Sequence, residues 1–134
     1  MSNEKSLWEG VDVISAYSRA EAIDDGVLVD LMQGEMGKLC KEHYKYPIAC
    51  TSAVWGLIEQ SVSKPEHLND LLGVLHDILS MSKTGHARSD DPSTREFQVI
   101  ITGTGNQDVH ELKMRCGPGD EGEPVLTLML VTED

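Results

Sequence analysis

Gly117-Pro118-Gly119-Asp120-Glu121-Gly122-Glu123-Pro124-Val125-Leu126-Thr127-Leu128-Met129-Leu130-Val131 is the stretch that decides how this chain folds. Its first eight residues are turn chemistry throughout, since glycine and proline supply the backbone angles of tight turns. The run that follows, interrupted only by Thr127, is apolar on both faces of an extended segment and suits a central strand covered by helices. Just upstream, Leu112, Met114 and Cys116 alternate along a second strand. Gly103 to Asp108 offers a turn, and Phe97, Val99 and Ile101 alternate along a third strand, which predicts a hairpin. Residues 83–94 carry almost no apolar side chains and read as a mobile loop of about a dozen residues.

N-terminal to that loop the period changes from two to three or four. Leu68, Leu71, Leu72, Leu75, Ile78, Leu79 and Ser82 form one stripe of a helix that the Ser63-Lys64-Pro65-Glu66 stretch starts. Thr51 or Ser52 caps another helix, which runs to about Val62 with Trp55 as a core anchor. Met36, Leu39, Cys40 and His43 mark a short amphipathic helix that ends before Pro47. Val27-Leu28-Val29 and Ile48 to Cys50 read as extended. Ser18 with Glu21 is a capping box, and Gly26 closes the short helix that it opens. The expected architecture is α+β: one domain over residues 1–134, its helix-rich N-terminal half packed on a three- or four-stranded, mostly antiparallel C-terminal sheet.

The charge is unevenly placed. Lys plus Arg number 11 against 23 Asp plus Glu, a net charge of −12, which argues against direct contact with a phosphate backbone or an anionic membrane. Residues 1–37 hold eight acids and two bases, and residues 117–134 hold five acids and no base, whereas the middle of the chain is nearly balanced. If the two ends fold near one another they make an acidic face, and Glu9, Asp12, Asp24, Asp25, Asp30, Asp120, Glu121 and Glu123 are its candidate binding residues. The opening residues lack the apolar core of a secretory signal, and no segment approaches the length that spans a bilayer, so a cytoplasmic location is expected. Three widely spaced cysteines, Cys40, Cys50 and Cys116, read as reduced thiols.

No catalytic set stands out. Cys40, His43, Cys50 and Cys116 could in principle bind zinc, but the chain has no Cys-x-x-Cys, and buried structural thiols account for them better. The glycines at 117–122 lack the lysine of a phosphate-binding loop. Asp120, Glu121 and Glu123 could face a hard cation, although a tight acidic turn explains them as well. No metal or cofactor is therefore expected. Arg19, one of two bases in the first 37 residues, is expected to carry an ion pair or a specific contact.

The pieces Val13-Ile14-Ser15-Ala16-Tyr17-Ser18-Arg19-Ala20-Glu21-Ala22-Ile23-Asp24-Asp25-Gly26-Val27-Leu28-Val29-Asp30, Tyr46-Pro47-Ile48-Ala49-Cys50-Thr51 with Val54-Trp55, and Cys116-Gly117-Pro118-Gly119-Asp120-Glu121-Gly122-Glu123-Pro124-Val125-Leu126-Thr127-Leu128-Met129-Leu130 resemble a small uncharacterised family carried by phages, plasmids and integrated mobile elements. The resemblance carries no catalytic role to any residue, and residues 60–95 follow the family pattern less closely. It implies accessory work for a mobile element, such as binding a host factor. The leading expectation is a non-catalytic acidic protein that docks on a basic host protein or complex, for example a nucleic-acid-handling defence complex that it inhibits. The alternative is a small enzyme with a pocket between the N-terminal helices and the sheet, using some of Tyr17, Arg19, Asp30, Cys50 and His110. A homo-oligomer is a third possibility, if Leu126, Leu128 and Leu130 face a symmetric neighbour.

Overall fold

The computed structural model describes residues 17–63, 70–105 and 108–133. In chain order the elements are α1 (Arg19–Asp24), β1 (Leu28–Asp30), α2 (Gly34–His43), β2 (Ile48–Thr51), α3 (Ser52–Val62), α4 (Leu71–Ser82), β3 (His86–Ala87), β4 (Thr94–Ile100), β5 (Val109–Pro118) and β6 (Pro124–Leu130). The six strands form one sheet in the order β1-β2-β6-β5-β4-β3. Every neighbouring pair is antiparallel except β2 with β6, which run parallel with Cys50 opposite Leu128.

The class is α+β, but the sheet is larger than the alternating pattern implied and its order is mixed. β1 and β2 come from the N-terminal half and extend the C-terminal hairpins, and α4 carries the helices past the middle of the chain. The reason lies in length and burial. All four residues of β2 are buried, so it shows no alternation, and β1 and β3 are too short to display a period.

β6 has the central place that its apolar run demands. Leu126 and Leu128 point to the side where α3 and α4 lie, together with Ile48, Cys50, Phe97, Val99, Leu112 and Met114. Val54 and Ile58 of α3, and Val74, Leu75, Ile78 and Leu79 of α4, complete that core. On the other face Val125 and Met129 are buried too. Leu126 and Leu128, which a symmetric neighbour would need exposed, are thus core residues of this chain. Trp55 is only half-buried at the rim, because Val54 and Ile58 take the inward stripe of α3. The start expected at Pro65 lies outside the described residues; α4 begins at Leu71, behind an Asp70 side chain that accepts from the Gly73 amide at 2.6 Å. Between α4 and β4, Arg88 N donates to Thr94 O and Thr94 N to Asp91 O, so the polar stretch 83–94 closes a hydrogen-bonded turn. Among the described residues no helix is long and apolar enough to cross a membrane.

Candidate functional site

α1 and the β5–β6 turn are a hundred residues apart in sequence and lie side by side. Ser18 caps α1 by accepting from Glu21 N, and the Glu21 carboxylate accepts from Ser18 N, so the capping box forms as its spacing requires. Two further amides at this helix end, those of Arg19 and Ala20, donate to the two carboxylate oxygens of Asp120 at 2.7 and 3.0 Å. A carboxylate at a helix N-terminus satisfies orphan donors and meets the positive end of the peptide dipoles. Arg19 completes the clasp. Its guanidinium donates to Thr127 Oγ1 at 2.8 Å and to the Leu126 carbonyl at 2.7 Å. Burial pushes the Arg19 pKa down, while Asp120, Asp30 and Glu123 pull it back up.

The turn that carries Asp120 is itself tightly set. Gly119 N donates to Glu123 O at 2.6 Å, Glu121 N donates to the Glu123 carboxylate at 2.9 Å, and Gly122 takes a φ of 82° that glycine adopts without strain. A side chain on Gly119 would run into the Glu123 carboxylate. Between this turn and α1 lies an open hollow of about 530 Å³ lined by Tyr17, Ser18, Arg19, Ala22, Leu28 and Asp120. The Tyr17 hydroxyl donates to Asp25 at 2.8 Å, and that bond raises the phenol above its usual range.

Of the candidate acidic residues, Asp24, Asp25, Asp120, Glu121 and Glu123 are exposed on α1 and the turn beside it. Asp24 and Asp25 end α1, a helix of six residues and therefore about 9 Å long, so they stand at the opposite end of that helix from the amides that hold Asp120. Asp30 is half-buried and accepts from Met32 N and Gln33 Nε2, holding the chain's path into α2. Glu9 and Asp12 lie outside the described residues. Glu133, in the acidic closing segment, is turned inward to accept from Thr51 Oγ1 and Leu130 N. Its backbone carbonyl takes the Nζ of buried Lys113.

Of the residues weighed for a catalytic pocket, Tyr17 and Arg19 share the hollow, but Arg19 spends its guanidinium on the sheet. Cys50 is buried on β2, where loss of solvent pushes its thiol up to about 12. His110 sits at the far end of β5, with Nε2 2.7 Å from Thr104 Oγ1. Cys40 is buried as well, its thiol raised to about 11. Among the described residues no three His, Cys, Asp or Glu side chains gather as a metal site would need. The sequence did not single out Asp120 as the cap of α1. A carboxylate flanked by glycines is a signal for a turn, and nothing local ties it to amides at positions 19 and 20.

Neither the curated proteins nor the solved structures contain a match to this sequence. Over residues 4–134 the chain matches the profile of a family of unknown function (DUF6573), and it belongs to that family.

Proposed function

We propose that this protein is a non-catalytic binding module whose acidic α1 and β5–β6 turn dock on a cationic protein surface. One observation supports the reading: Asp120 holds the N-terminus of α1 against the β5–β6 turn, so the helix that ends in exposed Asp24 and Asp25 and the turn that carries exposed Glu121 and Glu123 are neighbouring elements. Arg19 is the only base in residues 17–37, residues 117–133 contain none, and Arg19 is engaged with the sheet. The local acidity is therefore barely offset. Asp24 also ends a helix with no base in its last turn, where the peptide dipoles disfavour negative charge, while its neighbour Asp25 is held by the Tyr17 hydroxyl.

The partner class that fits is a basic host protein or complex whose own ligand is anionic, with nucleic-acid-handling machinery the first candidate. Occupying such a surface would inhibit it. An anti-defence role would suit the accessory work implied by the resemblance to an uncharacterised family carried by phages, plasmids and mobile elements.

The test is capture from a host lysate at low salt and at about 0.5 M salt, where the Debye length shrinks to a few ångström. A partner held at low salt, released at high salt and lost by the Asp24→Asn/Asp25→Asn/Glu121→Gln triple variant is the expected result. Recovery of no partner, or of partners indifferent to salt and to the variant, sinks the reading.

A further inference from the structure

A second surface, at the other edge of the sheet, is independent of the acidic face. β3 is two residues long and pairs with Arg95 and Glu96, so among the described residues no strand pairs with the C-terminal part of β4 on that side. The hydrogen-bond parity shows what is left open. Ile101 N donates to Asp108 O and Cys116 N to Ser93 O, so the odd-numbered residues of β4 exchange main-chain bonds with β5. The even-numbered residues face the other way. Arg88 N meets Thr94 O, and Glu96 lies opposite His86, but no strand of the described residues reaches Gln98 or Ile100. Two N–H groups and two carbonyls, spaced as an extended chain spaces its own, therefore point off the sheet edge.

The surroundings fit a chain laid along that edge. Ile100 is 64% exposed and its cross-strand partner Val109 41% on the sheet face away from the helices, and Met81 of α4 is 38% exposed on the helix side. A hollow of about 380 Å³ spans the edge between them, lined by Asp77, Ser80 and Met81 of α4 and by Gln98, Ile100 and Val109 of the sheet. A second, of about 400 Å³, lies along the same edge beside Thr84, His86, Glu96 and Glu111. The carboxylates bordering the two hollows are Asp77, Glu96 and Glu111; Glu96 is shared with Arg88 at 3.5 Å, and Glu111 accepts from Gln98 Nε2 at 3.4 Å.

We infer that the β4 edge at Gln98 to Ile100 is a strand-addition site for an extended peptide of alternating aliphatic and basic residues from another protein. Main-chain bonds to Gln98 and Ile100 supply the register. Aliphatic side chains enter the hollow beside Met81. Basic side chains on the other face reach Glu96 and Glu111, and their stems cover Ile100 and Val109. A second copy of this chain fits less well, since each copy brings a net charge of −12 and the same carboxylates to the contact.

The test titrates the full chain with an acetylated, amidated heptapeptide of alternating lysine and valine, read by amide NMR shifts and hydrogen exchange. Saturable shifts and slowed exchange at the Gln98 and Ile100 amides are expected. N-methylating alternate peptide amides should weaken binding by about tenfold, the cost of one or two main-chain bonds, and the folded protein is untouched by that change. Ile100→Lys, at an exposed position, should weaken it similarly with an unchanged melting temperature. Four outcomes overturn the inference: no saturation at millimolar peptide, equal binding of the N-methylated peptide, equal binding of a glutamate–valine peptide, or shifts confined to α1 and residues 119–123. Protection of Gln98 and Ile100 that grows with protein concentration alone also overturns it, assigning the edge to a second copy.

Discussion

His43 shows how a single side chain sets a pH response. Its Nε2 lies 3.3 Å from His76 Nδ1, while its own Nδ1 is buried with no hydrogen-bond partner. Burial, then Lys83 and then His76, push its pKa below the ordinary value, and Glu42 opposes them. Below the ordinary value near 6.5, the unfolded chain takes up a proton that the folded chain refuses. Stability should therefore rise with pH through that window, level off above it and fall on acidification. Urea midpoints measured between about pH 5.5 and 7.5 check this, and His43→Phe should flatten the slope; an unchanged slope would count against His43 as its source. At this scale the sequence was informative where the interaction was local. Ser18 and Glu21 meet because they are three residues apart, and Thr51 caps α3 for the same reason. The clasp of Arg19 and Ala20 on Asp120 depends on where two distant segments land, and no spacing rule encodes that.

Among the elements, α4 is the one whose amphipathic pattern translates most directly into packing. Leu75, Ile78, Leu79 and Ser82 are buried as the stripe requires, and Val74 joins them, whereas Leu72 is 39% exposed at the margin. Ile78→Ala should cost about 3 kcal/mol by cavity formation, and Leu72→Ala less than about 1 kcal/mol, both measured by chemical denaturation. Equal costs would mean that the helix is turned about its axis relative to this description. The β4–β5 hairpin was similarly legible, since both strands are long enough to show alternation on a half-covered sheet. β1 and β2 were legible as extended segments at 27–29 and 48–50, but not as members of this sheet, and β3 was not legible at all. Three residues, four wholly buried residues and two exposed ones carry too little pattern to give a register, and their places in the sheet come from tertiary packing.

For the molecule as a whole, a net charge of −12 on 134 residues is a self-repulsion that the fold must tolerate. Added sodium chloride should raise the melting temperature by a few degrees before levelling off, as screening relieves that repulsion. A fall on the first additions of salt, seen by calorimetry, would show that attractive pairs outweigh it. Among the described residues Lys38 with Glu35, Arg88 with Asp90 and Glu96, and Arg115 with Asp91 pair at or near the surface, where ion pairs contribute little. The strand that organises the sheet is also the last of the six to leave the ribosome. Until Pro124–Leu130 emerge, Ile48–Thr51 lacks its parallel neighbour, and a six-residue α1 has neither Asp120 nor the Leu126 carbonyl to hold it. Until then apolar segments such as Ile48–Cys50 have no sheet to join, and nascent segments of that kind are the ones chaperones shield.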